Sequence, residues 1–378
     1  MTHTWERIGI VVLLATLVAS CSSSSDQPSS IQAKKVANLT DTLAQNEIFE
    51  PRDVVSDEDG SVYVFDNGEK QIHVLDNDFT VQNAFGREGP GPGEFERAVS
   101  NLQFTPDRDL VALEKWEQTV HFFSPEGDYH DSFRIQKKPT TEGTPADRGF
   151  GIPLDIAVDN ASNVYLTDRV WYYSRDLVHV FDRSGTYVRG ELAQESFETL
   201  REAREKWGSV EREQRYIGQM MNERQRKIAV DHNDNVVLGH RGEYILAKYN
   251  PEFDLKWKTE MDFSPVKTAH AYKIDHMGTV GYTSAMGEGA VADIAIGDDN
   301  HIFVSVGCFD GRLDEDKRDQ LSHWIDVFSE EGEHIARLLE DELPPLPIRR
   351  GYRIDVQGSR LLVLGETEMW AYEIVRDS

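Results

Sequence analysis

Cysteine is nearly missing from this chain. Cys21 and Cys308 are the only two, so no disulfide framework holds the fold together and stability has to come from burial. Positive charge is scarce as well: 40 Lys and Arg stand against 67 Asp and Glu, a formal net charge of -27. That balance excludes nucleic acid as a partner, because phosphate affinity needs an excess of cations. The one long apolar run, Ile8 to Val18, is too short to span a bilayer comfortably. No HExxH, paired CxxC or GxSxG motif occurs, which removes the commonest zinc-protease, thiol-redox and serine-hydrolase signatures. What is present is 39% hydrophobic and 10% aromatic residues with 28 Gly and 14 Pro, a composition that builds a substantial core and many turns.

The N-terminus reads as an address. Arg7 precedes the apolar run, and the run ends in Val18-Ala19-Ser20-Cys21, which resembles the bacterial lipobox, where small residues fit the peptidase and the Cys thiol accepts a diacylglycerol. Residues 1–21 are therefore expected to be a lipoprotein signal peptide with its lipidation site at Cys21, and acyl chains there would tether the protein durably to a membrane. Ser22 to Ser30 is a polar Ser/Pro tract that cannot bury apolar surface and reads as a flexible tether. Ser22 beside Cys21 is compatible with the outer membrane, with the body facing periplasm or exterior.

The body, 31–378, repeats. An apolar residue of one strand is followed eight positions later by an apolar residue of the next: Val54 and Val62, Leu102 and Leu110, Ile156 and Val164, Ile228 and Val236, Ile294 and Ile302, Ile354 and Leu362. Third strands keep the same phase, from Ile72-His73-Val74-Leu75 to Trp370-Ala371-Tyr372, and Gly-containing turns such as Ser124-Pro125-Glu126-Gly127 launch fourth strands. Four short antiparallel strands repeated six times predict an all-β, six-bladed β-propeller, since one such sheet cannot cover its own faces. The sixth unit has only three evident strands, and Ile31 to Leu43 is expected to supply the fourth and close the ring.

Phe85-Gly86-Arg87-Glu88-Gly89-Pro90-Gly91-Pro92-Gly93-Glu94-Phe95 and Val62-Tyr63-Val64-Phe65-Asp66 resemble the inter-blade linker and second strand of NHL-repeat propellers, over about residues 45 to 376. Lys227 and Arg353 depart from that pattern, which has an acidic residue before the first strand. The glycines also look like a phosphate cradle, but Pro90 and Pro92 interrupt them and a strand follows in place of a helix, so a structural linker is expected.

Two insertions break the repeat. Within about 192–226, Phe197, Leu200, Ala203, Trp207 and Val210 recur at helical spacing with Glu202 and Lys206 as an i,i+4 pair, which predicts an amphipathic helix, with a second short one around Tyr216 to Met221. The other, Lys267 to Ala290, is a long loop carrying His270, Tyr272 and His276, of a length that is usually mobile or functional.

The residue preceding each first-strand apolar position should lie near one mouth of the central channel. These residues are Asp53, Asn101, Asp155, Lys227, Asp293 and Arg353. Together they suit Ca²⁺ or another divalent cation, a small polar ligand, or a self-satisfying ion-pair network. If three carboxylates crowd there, at least one is expected to titrate high unless Lys227, Arg353 or a metal compensates. The acidic turns at Asp57, Asp231 and Asp298 read as Asx turns, since none carries the full calcium loop. Asp310, Asp314 and Asp316 form a slightly better weak-calcium candidate. His73, His121 and His179 mark repetition and not a zinc site, and Cys308 reads as an inert packed thiol.

Two function classes follow. The first is a lipid-anchored, non-enzymatic cell-envelope propeller that binds a protein, peptide or glycan. The second is a metal-dependent lactonase or lyase working at the channel, as other six-bladed propellers do.

Overall fold

Six four-stranded antiparallel sheets, each built from strands adjacent in space, follow one another in the computed structural model. It describes residues 31–135, 152–169, 176–192, 226–240, 244–261, 273–274, 280–281, 291–307, 323–340, 342–343 and 351–376. The innermost strands of blades one to six are Pro51–Ser56, Asn101–Phe104, Ile152–Val158, Arg226–Val230, Val291–Ile296 and Arg353–Gln357. Each of these strands touches the next, and the sixth touches the first, so the ring is closed.

Packing follows from alternation on the strands. Each sheet is too small to bury either face alone, and its two faces pack on neighbouring blades. Six separate apolar clusters result, one per blade interface. Between blades one and two, for example, Tyr63, Phe65 and Ile72 meet Leu102, Leu110 and Ala112 with Phe95 of the linker. Fully burying one such large apolar side chain contributes roughly 1.5–3 kcal/mol. Outer hairpins add a smaller key. Gly127 and Gly185 adopt positive φ of 94° and 80°, and each lies under an aromatic ring of the preceding blade, Phe85 and Phe133, where any Cβ would collide.

The ring closes as the repeat count requires. Ile31–Asn38 pairs antiparallel with Met369–Arg376, Ile31 opposite Arg376 and Asn38 opposite Trp370, so both ends of the described chain share blade six. The expected strand to Leu43 stops sooner. Thr40–Gln45 is a short helix, because Leu39, Leu43 and Ile48 turn inward to join the cluster between blades six and one.

The linker of Phe85 to Phe95 also shows why its glycines are not a phosphate site. The Glu94 carboxylate accepts the Gly91 amide at 2.9 Å and the Arg87 guanidinium, so an internal anion fills the cradle while Phe95 is fully buried. The Asx turns are equally self-contained: Asp57 accepts the Ser61 amide at 2.9 Å, and Asp231 accepts the amides of Asn233 and Asn235 at 2.9 and 2.8 Å.

Antiparallel order gives the disc two unlike faces. Turns joining first to second and third to fourth strands lie on one, here the turn face, and are short. Connections between second and third strands, and from blade to blade, lie on the other, here the linker face. In sequence, every internal stretch outside the described residues lies between second and third strands of a blade or between consecutive blades. These stretches include the helices expected within 192–226 and most of 267–290, where only the small ladder of Lys273–Ile274 with Val280–Gly281 is described. Asp310, Asp314, Asp316 and Cys308 lie outside the described residues, as do residues 1–30 with Cys21. Among the described residues no helix is long and apolar enough to cross a membrane.

Candidate functional site

The six positions singled out by phase do converge. Asp53, Asn101, Asp155, Lys227 and Asp293 are all buried, and the Arg353 side chain keeps 20% of its surface exposed. All six sit where an innermost strand begins, at the linker-face end of the channel.

Odd and even blades contribute differently. In blades one, three and five the first and second strands shift register just before the aspartate, between Pro51 and Asp53, Pro153 and Asp155, and Val291 and Asp293. Blades two, four and six pair without a shift around Asn101, Lys227 and Arg353. A bulge adds one residue and re-aims the side chain that follows it. Each re-aimed carboxylate accepts a main-chain amide of the next blade: Asp53 from Leu102 at 2.5 Å, Asp155 from Ile228 at 2.9 Å and Asp293 from Ile354 at 3.0 Å. Three carboxylates thereby bolt three blade interfaces.

The second oxygens build a chain of charge. Asn101 Nδ2 donates to Asp155 Oδ1. Lys227 Nζ donates to the same Asp155 oxygen at 3.1 Å and to Asp293 Oδ1 at 3.0 Å. Arg353 donates to Asp293 Oδ1 at 2.9 Å and to the Ser100 carbonyl at 3.0 Å, and its Nε approaches Asp53 Oδ1 at 3.5 Å. The ring is continuous except between Asp53 and Asn101, where Asn101 Oδ1 is buried and has no hydrogen-bond partner among the described residues.

Electrostatics track that asymmetry. Burial drives the Asp53 carboxyl up to about 7, with Asp293 adding to the rise and Arg353 opposing it. Burial pushes Asp293 the same way, but Lys227 and Arg353 together outweigh it and hold that carboxyl below its ordinary value. Arg353 is held protonated, as Asp293, Asp53 and Asp155 overcome the cost of its burial.

Below this ring, a cavity of about 330 Å³ runs down the channel to the turn face. One residue of its wall escapes a reading by phase. Asp355 stands where the equivalent first-strand positions carry Val55, Gln103, Ala157, Ala229 and Ala295, and accepts the Ser56 amide at 2.9 Å. Burial drives it up to about 6 against the Ser56 hydrogen bond and Arg360. A lone carboxylate in a column otherwise uncharged, with Gln103 its one other polar residue, was the available signal.

The donor set does not fit a divalent cation. Such an ion takes several oxygens with free lone pairs, and here each carboxylate already binds an amide on one oxygen. Two Lys227 bonds and one from Arg353 then place fixed positive charges where a metal would sit. Among the described residues no three His, Cys, Asp or Glu side chains form a metal-binding group. His73, His121 and His179 are separated in three blades and buried against their own sheets.

One stability effect follows directly. A carboxyl whose folded pKa is raised is harder to ionise in the fold than in the unfolded chain, so its stabilising contribution is complete at low pH and is lost as pH rises through about 7. Asp53→Asn keeps an acceptor for Leu102 and removes the titration. The melting temperature of the variant relative to the wild type is expected to climb between about pH 4 and pH 7 and level off above, by roughly 2–4 °C for each kcal/mol. A difference that stays flat across that range would contradict a buried, hard-to-ionise Asp53.

No protein-family model matches the chain, and no curated protein does. Similar solved structures are a catalytically inactive virginiamycin B lyase from Staphylococcus aureus with quinupristin, 9% identical, covering 92% of this chain and 100% of that one with a TM-score of 0.49. A putative gluconolactonase is 11% identical over 92% and 94%, with a TM-score of 0.48, and a gluconolactonase from Xanthomonas campestris is 10% identical over 91% and 95%, also at 0.48. At this distance the activities of these lyases and lactonases do not carry over, and the six-bladed fold rests on the strand pairing itself.

Proposed function

We propose that this chain is a lipid-anchored propeller of the bacterial cell envelope, of the NHL-repeat kind, which binds a protein, peptide or glycan on its linker face and catalyses no reaction. The observation that carries this reading is the ring itself: its carboxylates bolt blades together and its positive charges are built in. A metal-dependent lactonase or lyase needs several open acidic ligands at that place, and among the described residues each ring carboxylate already accepts a main-chain amide on one oxygen.

Two further features agree. Phe49, just before the first strand of blade one, and Trp116, between the second and third strands of blade two, sit on the linker face with 60% and 54% of their surface exposed. Exposed aromatic rings are common anchors of binding surfaces. The entry point of the chain is also informative. Ile31 pairs with Arg376 at the turn-face end of blade six, so the tether proposed for residues 22–30 would reach the disc from the turn face. A flexible tether of nine residues spans roughly 5–6 Å times the square root of its length. An acyl group on Cys21 would thus hold the turn face toward the lipid and leave the linker face outward.

The test uses peptide and glycan arrays, a panel of lactones, and metabolic labelling with an alkyne fatty acid. The wild type is expected to take up the fatty acid and Cys21→Ser is not. A discrete set of peptides or glycans should bind, and Phe49→Ala with Trp116→Ala should weaken that binding about tenfold or more while the melting temperature holds. Metal-dependent lactone turnover, or array binding indifferent to both aromatics, would overturn the proposal.

A further inference from the structure

The single break in the ring has a definite chemistry. Asp53, Asp155 and Asp293 face Lys227 and Arg353, which leaves one negative charge when all five are ionised. At the break stand two acceptors. Asn101 Oδ1 has no partner, and Asp53 Oδ1 has only the Arg353 Nε at 3.5 Å, beyond a normal N–H···O distance. No donor among the described residues completes either one. The Leu102 amide on Asp53 Oδ2 at 2.5 Å fixes that carboxylate beside the very strand that carries Asn101.

We propose that the gap between Asp53 and Asn101 receives a primary alkylammonium, the head of a lysine-like side chain. An ammonium has three donors and no acceptor, which matches two vacant acceptors, and its single charge neutralises the ring. A divalent ion would overshoot that charge and find too few ligands. A quaternary ammonium would bring charge without donors. Both residues line the channel cavity of about 330 Å³, and with about 30 Å³ per water that space admits an amine with a short alkyl stem. Its turn-face mouth carries Asp57, Glu58, Asp159 and Asp231 against Arg108 and the Lys248 that pairs with Asp231, a surplus of negative charge that concentrates cations at the entrance. This inference rests on reading the protein as a binding propeller and specifies what its channel takes.

The experiment is calorimetric titration of the full chain with n-butylammonium, with n-butanol and tetramethylammonium as controls. Butylammonium is expected to bind and to raise the melting temperature, and neither control should. Asp53→Asn should weaken binding at least tenfold. A second measurement needs no variant. Asp53, faced by Arg353, Lys227 and Asp293 and bordered by Asn101, takes a proton or an ammonium but not both. Affinity in the wild type should therefore fall by about tenfold per pH unit below about pH 7. Butylammonium binding that Asp53→Asn leaves intact, or that a control reproduces, overturns the proposal. So does the absence of binding by the wild type, even where peptide or glycan binding on the arrays stands, so the two readings fail separately.

Discussion

Lys227→Met is expected to destabilise the propeller by about 3–5 kcal/mol, the usual consequence of removing one partner from a buried ion pair. The ammonium touches Asp155 at 3.1 Å and Asp293 at 3.0 Å with almost none of its own surface exposed. Methionine replaces the stem but leaves two carboxylates facing each other across the ring, with Arg353 compensating only Asp293 directly. Urea denaturation measures the loss. Adding Asp155→Asn should return part of it, because an amide still accepts the Ile228 N–H and no longer needs a cation. The coupling between the two sites in a double-mutant cycle is then positive and of order 0.5–3 kcal/mol. A loss for Lys227→Met below about 1 kcal/mol, the range of exposed pairs, would show that the ring does not depend on its built-in cations.

Asp326→Ala is expected to cost a similar amount, about 3–5 kcal/mol, for a different reason. Asp326 is fully buried in the third strand of blade five. It accepts Tyr244 Oη at 2.7 Å, Trp324 Nε1 at 2.8 Å and Arg337 Nε at 2.9 Å, with His334 Nε2 at 3.0 Å. Tyr244 comes from blade four, so this carboxylate ties two blades and two strands at once. Alanine leaves the buried donors Tyr244 and Trp324 facing a void, and each unmet buried group costs about 1–3 kcal/mol, while Arg337 and His334, each about a third exposed, lose a charged partner. Burial raises the Asp326 carboxyl, but Arg337, Tyr244, His334 and Trp324 outweigh it and hold it below its ordinary value. Its contribution is therefore complete above the usual carboxylate range and is lost as pH falls through the lowered value. The difference between wild type and Asp326→Ala in urea should narrow with acidification, and a difference independent of pH would mean that the charge is not what holds the donors.

Much of the fold was legible because its rules are local. The offset of eight between apolar positions locates two strands and a turn without knowledge of any neighbour, and six recurrences of the offset specify the ring. The same phase placed Asp53, Asn101, Asp155, Lys227, Asp293 and Arg353 together, since equivalent positions of the six innermost strands lie at one level of the channel. What remained hidden depends on partners. The bulges before Asp53, Asp155 and Asp293 arise from how the first strand pairs with the second, which residue types alone do not declare. They separate carboxylates that bolt blades from the cations and amide between them. Asn38 ends the closing strand because Leu39 and Leu43 find a better burial between blades six and one than on an outer strand. Asp326 shows the same limit. It occupies in blade five the position that carries His73, His121 and His179 in the first three blades, and its worth comes from Tyr244, Trp324 and Arg337, which sequence spacing does not bring together.

Lys248 follows the logic of Lys227 at the other face. It is fully buried and pairs with Asp231 at 2.7 Å, and it reaches the Glu330 carbonyl of blade five at 3.2 Å. The two cations buried among the described residues, Lys227 and Lys248, thus act as fixed links between blades in a protein whose net charge is -27.

The central claim is that the cations of the channel ring are built in, as Lys227 and Arg353, and leave no place for a divalent metal. It is tested most directly by thermal melts of the chain in EDTA and then in millimolar Ca²⁺, Mg²⁺, Mn²⁺ or Zn²⁺. A ligand present at 100 times its dissociation constant stabilises a fold by ~2.7 kcal/mol, which is readily seen. The expected result is one melting temperature in EDTA and in all four metals, for the wild type and for Asp155→Asn and Asp293→Asn alike, apart from the offset that each substitution causes in EDTA. A metal-specific rise in the wild type that either substitution abolishes would contradict the claim and place a cation where Lys227 and Arg353 are held to stand in for it.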